Sequence, residues 1–300
     1  MGNTGSQLTK TSRPIVALLL INRIPKMPLM SISSILKQSN SNLVIGYTSE
    51  ADISELPKDS RISYLDLSAE ALELGIANKD GRYQSFDEDS FFSLVQLKWK
   101  LLERILLSNP EQNLIYSDLD VFWIRDASQL VEKSFDANPR LNLLIQNFTA
   151  EPSLPQLCMG FVAFRNSAQS LAIVRECSIL HQKMLLSNPR IGDDDVITAF
   201  YKESGMSEGI YQLPQSSFPV GNLLNLFAKR SLFPGLIPTK PYIYHSNFVV
   251  GVERKIETAY LFFRNQGIGL SNIGMVSGMT LRVKISLRFL LFFLRKLLRS

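Results

Sequence analysis

Residues 14–21 read Pro-Ile-Val-Ala-Leu-Leu-Leu-Ile, an unbroken apolar run between a polar start and Asn22-Arg23. A half-solvated strand alternates apolar with polar residues, so a short run without polar interruption reads as a strand buried on both faces. Leu43–Tyr47 (LVIGY) and residues 62–67 (ISYLDL) repeat the signal, the second after the turn-forming Pro57-Lys58-Asp59-Ser60. Residues 28–38, between the first two runs, read as a helix. Strands joined through helical or loop crossovers form a mostly parallel sheet with helices on both faces, so the expected class is α/β.

A long amphipathic helix is expected over 91–107, where Phe92, Val95, Trp99, Leu102 and Leu106 recur at steps of three and four. Ser108-Asn109-Pro110 stops it. The segment 114–126, LIYSDLDVFWIRD, follows. Further strands are expected at 141–145, 160–165 and 241–245, and helices at 168–186 and 196–202. No internal repeat or low-complexity linker interrupts the series. With 300 residues, 45% hydrophobic and 20% charged, the chain suits one domain over 13–265 followed by an appendage at 266–300.

The formal net charge of +5 does not indicate a nucleic-acid partner, because it is confined to the end of the chain. Residues 281–300 carry Arg282, Lys284, Arg288, Arg295, Lys296 and Arg299 and no acid. The rest is nearly neutral. Wound as a helix, the tail puts Lys284, Arg288, Arg295 and Arg299 on one arc, opposite Leu287, Leu290, Phe293 and Leu297. That is the pattern of a helix lying in the surface of an anionic membrane, the alternative being a helix docked on the protein's own core with its basic side in water. No run reaches the roughly 18 apolar residues of a membrane span, and no secretory signal opens the sequence. Met1-Gly2-Asn3-Thr4-Gly5-Ser6 fits the loose myristoylation pattern. Two cysteines, Cys158 and Cys177, are too few for a disulfide framework. The expected location is cytoplasmic, peripheral on the inner face of a membrane.

Asp118-Leu119-Asp120 closes an apolar, strand-like run, and a loop at the sheet edge is the expected setting. In extended chain, residues i and i+2 face the same way, so both carboxylates can converge on one ion. Ligands of a parallel α/β sheet bind beyond the carboxyl ends of its strands. Two anionic oxygen donors suit a hard cation, Mn²⁺ or Mg²⁺, which would also take diphosphate oxygens. The same spacing occurs at Asp87/Asp89 and Asp193/Asp195, but only Asp118/Asp120 lies between two apolar strand-like segments, where unpaired carboxylates would be costly.

Four blocks, in order, resemble the nucleotide-diphospho-sugar transferases, a family of GT-A glycosyltransferases. Residues 114–126 are similar to the family's "vlysDvDvvwlrd". Leu97-Lys98-Trp99-Lys100 resembles its lysine-bearing helix. Cys158-Met159-Gly160-Phe161-Val162-Ala163-Phe164-Arg165 resembles "N-x-G-f-x-x-f-R". His245-Ser246-Asn247 through Gly251 to Lys255 is similar to "H-x-N-w-x-x-G-x-x-x-K". The resemblance implies a metal held by Asp118, Asp120 and His245, and a nucleotide-sugar donor contacted by Lys98, Asp118, Gly251 and Lys255. It also implies sugar transfer with retention of anomeric configuration to a glycan, lipid-linked or protein acceptor. Asp193 and Asp194 stand where the family has Asp-Gln near the acceptor, so they are the catalytic candidates. Asp194 departs from the pattern, since an ionised carboxylate cannot donate a hydrogen bond as an amide does. For Asp194 and Asp195, helix-capping charge is an equal alternative. Cys158 departs as well, from asparagine. His181 lies in an apolar helical stretch and reads as a packed or surface residue. The competing functions are a metal-dependent nucleotidyl- or phosphotransferase, for which no G-x-x-x-x-G-K-[ST] loop is present, and a non-catalytic nucleotide-sugar binder at a membrane.

Overall fold

A computed structural model describes residues 13–21, 27–48, 53, 56–76, 89–148, 155–205, 207–220, 241–247 and 251–265. Gly2 and the tail 266–300, with its expected membrane helix, lie outside the described residues, as does Asp87. In chain order the elements are β1 (Ile15–Leu20), α1 (Met27–Gln38), β2 (Leu43–Tyr47), β3 (Ile62–Asp66), α2 (Ser68–Glu73), α3 (Asp89–Leu94), α4 (Gln96–Ser108), β4 (Leu114–Ser117), β5 (Val121–Trp123), α5 (Ala127–Ala137), β6 (Leu143–Asn147), β7 (Leu157–Phe164), α6 (Ala168–Ser187), α7 (Asp193–Glu203), β8 (Ile210–Leu213), β9 (Ile243–His245) and α8 (Val252–Asn265).

β1 is buried along its whole length because it is a middle strand of a seven-stranded sheet ordered β3-β2-β1-β4-β7-β6-β8. β7 runs antiparallel to both neighbours, and the other pairs are parallel. β5 and β9 leave the sheet and pair antiparallel with each other. Successive β1 side chains serve opposite layers. Val16, Leu18 and Leu20 pack with Met30 and Ile35 of α1, Val131 and Phe135 of α5, and Ile256 and Ala259 of α8. Ile15, Ala17 and Leu19 pack with Leu97, Leu101 and Leu102 of α4, Ile173 of α6, and Val196 and Phe200 of α7. Helices therefore cover both faces, and each fully buried Leu, Ile or Val contributes about 1.5–3 kcal/mol relative to exposure.

Three departures from the sequence reading have local causes. The single helix expected over 91–107 is divided at Val95 into α3 and α4. α5 was not expected. Asp126 caps it by accepting from the Ser128 and Gln129 amides, and Val131 and Phe135 bury its inner face. Arg165, just after β7, donates to the carbonyls of Leu141, Phe135 and Asn138 and lies over the Phe135 ring, which secures the end of α5. β8 was also missed, being a four-residue strand (IYQL) held by pairing with β6.

His181 is a packed histidine. Trp99 of α4 donates its Nε1–H to His181 Nδ1 at 3.0 Å, and His181 Nε2 lies 3.0 Å from the Ile191 carbonyl ahead of α7. The neutral ring with its proton on Nε2 satisfies both contacts. Burial holds its pKa below the ordinary histidine value. The unfolded chain therefore takes up this proton first as pH falls through about 6.5, and stability declines with it. Thermal melts from about pH 7.5 to about pH 5.5 should show a falling melting temperature, with a smaller fall in His181→Gln; parallel curves would refute the assignment.

Candidate functional site

β4 ends at Ser117, in the middle of the sheet, and the next three residues turn the chain out of it. The Val121 amide donates to the Asp118 carbonyl at 3.0 Å, which closes a tight turn over Asp118–Leu119–Asp120. The carboxylates thus lie in a reverse turn at the carboxyl end of a central strand, and neither the extended geometry nor the edge position expected from the sequence holds. Two backbone bonds clamp the turn. The Asp118 amide donates to the Gly160 carbonyl of β7 at 2.8 Å, and the Ser246 amide donates to the Asp120 carbonyl at 3.0 Å. The chain then enters β5, whose Val121 pairs with His245 of β9. That pairing brings the imidazole to the carboxylates. One ligand atom each from Asp118, Asp120 and His245 lies within 4.8 Å of the others.

Asp120 is buried, with Oδ1 3.3 Å from His245 Nε2 and Oδ2 2.5 Å from the Lys255 ammonium. Burial works against its charge, but Lys255 and His245 outweigh this and hold the carboxyl well below the usual carboxylate range. On its other side, His245 Nδ1 lies 3.2 Å from Gln146 Oε1 and 3.5 Å from Cys158 Sγ. Asn247 donates to the same sulfur at 3.6 Å. The imidazole rests directly on Gly160, where an added Cβ would come within 2.0 Å of His245 Cε1. The glycine is required for space.

A second charged cluster shares Asp118. Lys98 of α4 is buried, and its ammonium lies 3.2 Å from Asp118 Oδ1, is paired with Asp193 Oδ2, and stands 4.5 Å above the Tyr116 ring. Burial opposes this charge, but Asp118 and Asp193 outweigh it and raise the lysine well above its ordinary pKa. Tyr116 donates its hydroxyl to Asp118 Oδ1 at 2.8 Å. Asp193 opens α7, and Asp194 accepts from the Met159 amide at 2.6 Å, tying α7 to β7. Burial and the neighbouring Asp193 push the Asp194 carboxyl well above its ordinary value. Asp195 is exposed and accepts from the Gly192 amide at 3.0 Å, which is the capping reading.

The structure therefore brings Lys98, Asp118, Asp120, Asp193, His245 and Lys255 into one connected site, with Asp194 beside it. Gly251, at a φ of 95° that favours glycine, accepts the Lys255 amide at the start of α8. Sequence reasoning missed Gln146 and Tyr116. The signal for Gln146 was its place in Gln146-Asn147, two polar residues that close an apolar run at a strand's carboxyl end. Two carboxylates and an imidazole whose ligand atoms face one another within 4.8 Å form a donor set that fits Mn²⁺ or Mg²⁺.

UDP-D-xylose:L-fucose alpha-1,3-D-xylosyltransferase 3 of Arabidopsis thaliana is 24% identical over 185 residues, which is 57% of this chain and 47% of that protein. The chain thus spans about half the length of the curated relative it matches. The glycosyltransferase GlyE of Streptococcus pneumoniae TIGR4 superposes with a TM-score of 0.52 at 14% identity, over 93% of this chain and 64% of GlyE, and so shares the GT-A fold. Mouse xyloside xylosyltransferase 1, in its apo form, gives a TM-score of 0.49 at 14% identity, over 80% of this chain and 99% of its own. The pattern of the nucleotide-diphospho-sugar transferases matches residues 64–258, more than half of the chain and every charged residue of the connected site, and the chain belongs to that family.

Proposed function

We propose that this protein is a metal-dependent glycosyltransferase that moves a sugar from a nucleotide-diphosphate donor, a UDP-sugar, to a hydroxyl acceptor with retention of configuration. The observation that carries the reading is the meeting of Asp118, Asp120 and His245 within 4.8 Å beyond the carboxyl end of a central strand. A divalent ion bound there supplies neutralisation of the charge that develops on the departing nucleoside diphosphate.

The protein's own groups do the rest. Lys255 rises from the first turn of α8, where backbone amides and the helix dipole favour a phosphate, and its ammonium is a point-charge donor to that group. Lys98 fixes Asp118 and Asp193 relative to each other, so the donor and acceptor sides keep one spacing. The upward-shifted Asp194 carboxyl is protonated more readily than an ordinary aspartate, and in that form it supplies the hydrogen-bond donor that the family's glutamine would. The tail at 281–300 holds the enzyme on an anionic membrane surface, close to a lipid-linked or membrane-borne acceptor.

The donor named for the Arabidopsis relative, UDP-D-xylose, is the first to test. With Mn²⁺ present it should raise the melting temperature, and saturation at 100 times Kd corresponds to about 2.7 kcal/mol. Asp120→Asn should lose the metal-dependent part of that rise. Equal shifts with and without metal for every UDP-sugar would sink the proposal, and release of pyrophosphate in place of UDP would mark a nucleotidyltransferase. Gly160→Ala should weaken Mn²⁺ binding by about 10- to 100-fold, because the new methyl group displaces the His245 ring; calorimetric titration giving unchanged affinity would remove His245 from the ligand set. Vesicles containing phosphatidylserine should float the full chain but not one lacking 281–300.

A further inference from the structure

β6 and β7 fall out of register at one point, where Ile145 pairs with Val162 but Gln146 pairs with Cys158. Met159, Gly160 and Phe161 bow out of the ladder opposite Gln146, and irregularities of this kind re-aim side chains beside functional sites. Gln146 is completely buried, and its amide makes two contacts of opposite kind. Nε2 lies 3.3 Å from the Phe218 carbonyl, which can only accept, so the nitrogen end faces Phe218 and the oxygen end faces His245 Nδ1 at 3.2 Å. An amide oxygen can only accept, so the imidazole proton belongs on Nδ1. In the neutral ring Nε2 is then bare and can ligate a cation together with Asp120 Oδ1, which stands 3.3 Å away.

We infer that Gln146 is a positioning residue for the metal site: it fixes His245 as the Nδ1–H tautomer with Nε2 open toward Asp118 and Asp120, and thereby sets a preference for Mn²⁺ over Mg²⁺. The inference rests on the metal-dependent reading above. Its chemistry is general. A ligating histidine is oriented by the acceptor on its other nitrogen, and an imidazole ligand favours Mn²⁺ more than the harder Mg²⁺. The chain supplies its own contrast, since its other histidine, His181, is held by Trp99 and Ile191 with the proton on Nε2.

Only two imidazoles contribute to a long-range ¹H–¹⁵N spectrum of the full chain. In the Mg²⁺-loaded protein, which is diamagnetic, His181 should appear as the Nε2–H form and His245 as the Nδ1–H form. In Gln146→Leu the His245 signals should move away from that pattern while those of His181 stay. Electron paramagnetic resonance of free Mn²⁺ should then show binding weakened by about 10- to 100-fold, with the ¹⁴N modulation of bound Mn²⁺ lost and Mg²⁺ affinity changed by much less. Gln146→Glu, which keeps an oxygen acceptor at Nδ1, should restore the nitrogen signal.

The inference is overturned if wild-type His245 carries its proton on Nε2, a result that needs no variant to fold. It is also overturned if Gln146→Leu keeps wild-type Mn²⁺ affinity, or loses Mn²⁺ and Mg²⁺ equally. A wild-type protein that binds Mn²⁺ without ¹⁴N modulation removes His245 from the ligand set, and one that binds no Mn²⁺ defeats the metal-dependent reading itself, and with either result the role of Gln146 falls.

Discussion

A carboxylate sealed from water needs positive charge beside it, and Asp120 imposes that demand on everything around it. Asp120 belongs to a turn that cannot relax, because its backbone is bound on one side to β7 and on the other to the residue after β9. Lys255 and His245 answer the charge, and both come from the C-terminal part of the fold. The small β5–β9 sheet exists to make that meeting possible. By peeling away from the main sheet, β5 gives β9 its antiparallel partner, and that pairing carries the imidazole to the turn.

The same economy holds on the other side of the turn. Lys98, brought in from α4, is shared by Asp118 and Asp193, so one buried cation links the strand-end turn to the first residue of α7. Asp193, nearly buried, could not sit alone at that depth without a steep desolvation penalty. The paired geometry makes the strand-end turn and the start of α7 a single electrostatic unit, and the hydroxyl of Tyr116 adds a hydrogen bond to Asp118.

Much of this was legible in the sequence because burial leaves a mark on composition. The apolar runs at β1, β2 and β4 carry no polar interruption since helices cover both faces of the sheet. The order of the four family-like blocks placed Lys98, Asp118, Asp120, His245 and Lys255 before any coordinates were needed. What the sequence did not carry was geometry that depends on distant partners. The Asp118–Asp120 turn looks like extended chain from its neighbours alone, and its closure needs β7 and Ser246. The end of α5 is held by Arg165 and the four-residue β8 by pairing with β6, tertiary contacts that leave little local pattern. Gln146 sits in an ordinary strand, and its role arises from a register break whose other half lies in Leu157–Phe164. Asp195 shows the converse, where local capping chemistry was the whole explanation.

The site also has a place in time. Lys255 and Asp120 are separated by 135 residues, and β9 follows every strand of the seven-stranded sheet. Domains gain structure from the N-terminus onward as they are synthesised. A nascent chain can therefore assemble its large sheet while the imidazole, the ammonium and Ser246, whose amide clamps the acidic turn, are still inside the ribosome. During that interval Asp120 lacks the ammonium that offsets its burial, and the turn has to remain hydrated. On this architecture the acids meet their late-arriving partners only after the large sheet has left the ribosome.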